Sequence, residues 1–196
     1  MSTPPDLPRD ALIAAALDLI ATRGWLSFRM SPLANAADMP LAAVYRAFPD
    51  KEAVLAAYLQ RLTERAAEGE AIAAEGPARD RLFDAAMQVF EAAEGEREPL
   101  RVLRHELARD PLALLALRDA LSRVAAFVLD RAGLETGGFR GAARVMGLGA
   151  ILMRTLPQWL DDEPGLAKTM AALDRGLRRA ESWACRFEPP EQPQSE

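Results

Sequence analysis

The chain has 196 residues, half of them hydrophobic, with a formal net charge of −5 and a pI near 5.1. That length can bury one substantial core and one small extra domain, and an acidic total disfavours non-specific binding to nucleic acid. A single cysteine, Cys185, excludes an intrachain disulfide, and a single histidine, His105, argues against a transition-metal site. Leu and Ala dominate and no segment alternates with period two, so the expected fold class is all-α. No secretory signal and no membrane-spanning run is visible, and a cytoplasmic location is expected. No cofactor is implied.

Residues 1–8 are rich in proline. A first helix is predicted from Arg9 to Thr22, with Leu12, Ile13, Ala16, Leu17 and Ile20 on one stripe. Gly24 ends it, and Trp25 and Phe28 are expected to fill a small core. Ser31 is the expected cap of a second helix, with Pro32 at its first position. Asp38-Met39 is a tight break. A short third helix should run from Pro40 to Arg46 and bury Val44. Phe48 then plugs its exit. Asp50 should cap a long helix that runs to about Ala74, stopped by Gly76-Pro77. Two short helices across a tight turn form a helix-turn-helix, whose second member can enter a DNA major groove.

The remainder reads as a helical body. Residues 78–93 carry Leu82, Phe83, Ala86, Met87 and Phe90; 95–99 read as a charged linker; 100–109 carry Leu100, Leu103 and Leu107. Asp110-Pro111 is a cap-plus-proline start for a helix ending at Gly133. Residues 139–160 form a helix rich in small residues, with Pro157 near its end. Asp161-Asp162-Glu163 reads as a solvated turn, and a last helix should start at Pro164. Along it Leu166, Met170, Leu173, Leu177, Ala180, Ala184 and Phe187 follow alternating spacings of four and three, a coiled-coil-like seam. The expected organisation is a three-helix head over 9–55, a body of about six helices over 56–187, and a disordered tail over 188–196.

The string Ala-Asp-Met-Pro-Leu-Ala-Ala-Val-Tyr-Arg-Ala-Phe-Pro-Asp-Lys-Glu, residues 37–52, resembles the signature of TetR-type transcriptional regulators. Ala37, Tyr45, Phe48, Lys51 and Glu52 match it directly, and Met39 and Val44 match in character. Residues 16–25 are similar to that family's first helix and its Gly-aromatic exit. The departures fall on polar positions. The turn glycine is Asp38, the serine cap is Pro40, a lysine and a threonine of the reading helix are Leu41 and Ala43, and the phosphate-binding histidine is Ala47.

The resemblance implies a TetR-like fold, a homodimer, operator DNA as a partner and a small apolar or lipid-like effector in the body. It places the DNA contacts at Pro40, Leu41, Ala42, Ala43, Tyr45, Arg46 and Lys51. The plainer readings, given equal weight, are that Tyr45 packs on Phe48 and that Lys51 is an ordinary surface lysine. Within residues 1–62 six basic side chains face six acidic ones, which leaves the head neutral where DNA affinity needs cations.

Candidate effector-pocket residues are Phe83, Met87, Phe90, Leu103, Phe127, Met146, Met153 and Trp159, against the plainer reading that they are core. The seam residues Leu166, Met170, Leu173, Leu177, Ala180 and Ala184 are the candidate dimer interface. No nucleophile accompanies His105, so no enzyme is expected. A second resemblance leaves an alternative open. Trp159-Leu160-Asp161-Asp162 and Thr169 to Arg175 are similar to the end of a ubiquinone-biosynthesis accessory family, which shares the TetR fold but binds lipid instead of DNA.

Overall fold

The computed structural model describes residues 7–187, with side chains from 9 to 182. Among them are nine α-helices and no strand. They are α1 (Leu7–Arg23), α2 (Met30–Ala36), α3 (Leu41–Ala47), α4 (Lys51–Ala67), α5 (Ala78–Ala92), α6 (Arg97–Leu107), α7 (Pro111–Arg131), α8 (Gly138–Leu160) and α9 (Ala167–Phe187). This is the all-α fold class expected from the sequence. The expected tail lies outside the described residues.

The chain divides into two compact units: residues 1–70 with 88–127, and residues 71–87 with 128–196. Head helices share one apolar cluster with α4, α6 and the start of α7, through Leu12, Ile20, Trp25, Leu33, Val44, Phe48, Tyr58, Leu103 and Leu117. Burying side chains of this size contributes roughly 1.5–3 kcal/mol each, so the head shares its main source of stability with later helices.

Several helix ends differ from expectation for local reasons. Helix α2 starts at Met30, which is buried, and its N-cap position is Arg29 without a side-chain cap; Pro32 falls within the first turn, where its missing N–H costs nothing. Helix α3 starts at Leu41, and the carbonyl of Pro40 accepts from Ala43 N–H at 2.8 Å. Asp50 caps α4 as expected, accepting from Ala53 N–H at 2.7 Å. That helix ends at Ala67, short of Ala74. Gly69 is a poor helix former, and Gln88 Nε2 donates to the Glu70 carbonyl at 2.7 Å.

The expected linker at 95–99 is instead a 3-10 turn over Glu94–Glu96 running into α6. Helix α9 begins at Ala167 because Leu166 takes a left-handed φ of 56° and breaks the path from Pro164. Asp162 then caps it, accepting from Thr169 N–H at 2.7 Å and Thr169 Oγ1 at 2.8 Å. Asp162 is therefore a capping residue, while Asp161 and Glu163 are exposed as a solvated turn would have them.

Candidate nucleic-acid interface

Helix α2 and helix α3 pack on one another across a break at Asp38, whose φ of 51° is left-handed. The N–H of Met39 donates to the Ala34 carbonyl at 2.9 Å and that of Asp38 to Asn35 at 3.3 Å. A residue after a helix end commonly takes this conformation, most often glycine. Asp38 is the uncommon but tolerated substitute.

Val44 and Phe48 are buried, which fixes the rotation of α3. Leu41 (41 % exposed), Ala42, Tyr45 (51 %) and Arg46 then share the outer face, while Ala43 and Ala47 are half-buried. Tyr45 thus points outward, and no ring contact joins it to Phe48 among the described residues. The outer face offers one guanidinium, one phenol and a set of methyl and methylene groups. Such a surface can touch thymine methyls and one or two phosphates.

The other cations of the head are engaged internally. Arg9 lies over the Phe48 ring, 5.1 Å from its centroid. Arg29 Nη1 donates to the carbonyls of Leu26 and Phe28 at 3.0 and 2.8 Å. Arg61 lies 3.9 Å from both Asp10 and Glu96. Lys51 Nζ sits 4.1 Å above the Trp25 ring and 3.8 Å from Asp110 Oδ2. Among the described residues Arg23 and Arg46 carry head charges without an ion pair or hydrogen-bonded partner. Of the seven sequence-derived contact candidates, Lys51 therefore stands apart, drawn away from the α3 face.

Two carboxylates that sequence reading did not connect to the head hold its exit loop. Glu106 Oε2 accepts from Leu26 N–H at 2.7 Å. Its carboxylate also fills the space where a side chain at Gly24 (φ +82°) would stand, with a Cβ there meeting Glu106 Oε1 at 2.5 Å. Asp110 Oδ2 accepts from Trp25 Nε1 at 3.2 Å, and Asp110 Oδ1 caps α7 through Ala113 N–H at 3.1 Å. The bond from Ala113, then that from Trp25 and the charge of Lys51, hold the Asp110 carboxyl below the usual range. The Asp110-Pro111 cap was legible in sequence; contacts 80 and 85 residues away were not.

Residues 12–58 match the family model described as bacterial regulatory proteins, tetR family. The head is a TetR-family domain. The whole TetR-like fold recurs in solved structures. A TetR transcriptional regulator from Nitrosomonas europaea is 22 % identical, with 91 % of this chain and 99 % of that one covered and a TM-score of 0.67. A TetR regulator from Rhodococcus sp. RHA1 is 14 % identical, covering 88 % and 95 %, with a TM-score of 0.63. Thermus thermophilus FadR, a TetR-family repressor solved with lauroyl-CoA, is 20 % identical, covering 96 % and 99 %, with a TM-score of 0.50. No curated protein matches the chain significantly.

The body candidates divide between the two units of this TetR-like chain. Phe90 and Leu103 are buried and Phe127 half-buried in the first unit; Met87 and Trp159 are buried and Phe83 half-buried in the second. Met146 (77 % exposed) and Met153 (46 %) face solvent. Their positions on α8 put them opposite its buried side, formed by Leu148, Leu152, Thr155 and Trp159.

Of the seam, Leu173 and Leu177 are buried within the protomer, where α9 packs on α8 closely enough that a Cβ at Gly176 would meet Ile151 Cγ2 at 2.7 Å. They have no surface left to offer a second copy. Leu166 is half-buried, Met170 and Ala180 are exposed, and the side chain of Ala184 lies outside the described residues. Phe139, Met146 and Met153, at seven-residue spacing, instead form an exposed apolar stripe on α8 beside Ala142, Ala143 and Ala150. His105 is exposed on α6. No helix is long and apolar enough to cross a membrane among the described residues.

Proposed function

We propose that this protein is a TetR-type transcriptional regulator that binds operator DNA as a homodimer and is tuned by a small apolar or lipid-like effector. The observation that carries the reading is the outward face of α3 in a family-matched head: Leu41, Ala42, Tyr45 and Arg46 stand clear of the core on a helix set across a tight turn from α2. Pairing of two copies is assigned to the α8 stripe of Phe139, Met146 and Met153, since a continuous exposed apolar strip of this kind is what a helix-on-helix interface buries. The effector class is supported by the fold likeness to a repressor solved with lauroyl-CoA.

The lipid-binding alternative draws on residues 159–175, and their geometry has a simpler explanation. Trp159, Leu160 and Leu173 are core, and Asp162 with Thr169 caps α9. Those five residues of the resemblance have packing or capping tasks, while Asp161, Met170, Ala171 and Arg175 are exposed.

A fluorescence-anisotropy titration at several salt concentrations, on the gene's own upstream region and on scrambled DNA, tests the reading. Binding should be weak and salt-sensitive, with a preference for the upstream region. Leu41→Lys should tighten binding to both DNAs by adding a phosphate partner on the outer face. Absence of binding at low salt by both proteins would end the regulator reading.

A further inference from the structure

Lys51 belongs to the expected DNA-contact set, yet its ammonium is held inside the protein. It lies over the face of Trp25 and against Asp110, and its side chain is only a quarter exposed. Asp110 stands at the corner between α6 and α7, and it reaches both the lysine and the indole N–H with one oxygen, Oδ2. A carboxylate and a DNA phosphate are oxyanions of the same kind toward an ammonium group, and they compete for it. In a head whose remaining uncommitted cations are Arg23 and Arg46, the loss of one cation is a large fraction of the available phosphate-binding charge.

Resting on the DNA-binding reading above, we infer that Asp110 is a positioning residue that withholds Lys51 from the DNA backbone, so that the α6–α7 corner sets how many phosphates the head engages. Anything that moves this corner away from Trp25 returns a cation to the DNA-facing side. The same corner carries Glu106, which holds Leu26 N–H, so the exit loop of α1 and the cation move under one control.

Asp110→Asn removes the charge. Asparagine can keep the cap on Ala113 N–H through its one oxygen, while the bond from Trp25 Nε1–H is lost together with the ion pair, and the fold is expected to survive that loss. A thermal melt of the variant verifies this. The expected result is a gain in affinity of about three- to tenfold at low salt, equal on upstream and scrambled DNA. It comes with a steeper salt dependence, by about 0.9 in slope for each lysine released, or about two for a dimer.

Adding Lys51→Gln to Asp110→Asn should erase both the gain and the added slope. A merely structural role for Asp110 would not move the salt slope. If the wild-type protein binds DNA and Asp110→Asn binds with the same affinity and slope, this inference is wrong and the regulator reading stands. If neither protein binds at low salt, both fall.

Discussion

Arg65 grips Glu96 through two parallel hydrogen bonds of 2.7 Å each, Nη1 to Oε1 and Nη2 to Oε2. The pair joins α4 to the turn that opens α6, and Tyr58, 1 % exposed, lies beside it. Burial, and then the Glu96 charge, push the Tyr58 hydroxyl well above the usual tyrosine range. Glu96→Gln removes the counter-ion of Arg65 and one of the two carboxylates beside Arg61. Because Arg65 is partly solvated, the expected loss is about 1–2 kcal/mol rather than the full cost of a dry pair. Urea unfolding checks this; an unchanged midpoint would mean water satisfies the arginines equally well.

Acid should act on α9 through Asp162. Its partial burial pushes its pKa up, but the hydrogen bonds from Thr169 N–H, Thr169 Oγ1 and Glu163 N–H, with Lys168 nearby, outweigh this and hold it below the ordinary value. A lowered folded pKa contributes stability that is present above the unfolded pKa of about 4 and is lost as pH falls through the folded one. Melting temperatures of wild type and Asp162→Asn, measured from neutral pH down to acid, should therefore converge as pH falls. Parallel curves would show that the carboxylate contributes no charge-dependent stability.

The left-handed turn at Asp38 carries a removable cost. Glycine adopts that conformation without a Cβ penalty, against a larger loss of backbone freedom on folding. The expected balance is a gain of about 0.5–1 kcal/mol for Asp38→Gly. It would show as a rise in denaturation midpoint with unchanged m-value. A fall would mean the aspartate side chain supplies a local bond worth more than the strain.

The α8 stripe makes a separate prediction. Met146→Glu with Met153→Glu places two charges on an exposed apolar strip and leaves the α8–α9 contact intact. Sedimentation velocity should then report a folded monomer, against the dimer proposed for the wild type. Leu173→Glu, by contrast, buries a charge inside the protomer and should unfold it. A folded dimer for the methionine pair would move the interface to another face.

These cases separate what sequence carries from what it hides. Features set within one or two turns of chain were legible: the stripe of α1, the Asp50 and Asp110 caps, the stop at Gly133, and the burial of Val44 and Phe48. Features set by distant partners were not. Glu96 read as one charge in a linker because nothing in its neighbourhood names Arg65. Lys51 read as either a DNA ligand or a plain surface lysine because Asp110 is remote in the chain. Met146 and Met153 read as pocket because their composition suits one; only the rotation of α8 about its buried side sends them outward. The seam on α9 was a real periodicity, and for Leu173 and Leu177 its occupant is α8 of the same protomer.

The cluster that contains Trp25 also contains Leu103, Ala113 and Leu117, and the indole bond to Asp110 spans 85 residues. As a ribosome delivers the chain, α1 to α3 emerge with their apolar sides only partly covered, and they wait for α6 and the start of α7. Closing such a long loop comes late and makes folding slower than the helix content alone would indicate. The helix-turn-helix end is thus among the last parts of its unit to be completed. A fragment ending near residue 60 would lack both the wall of its own core and the carboxylates that hold its exit loop.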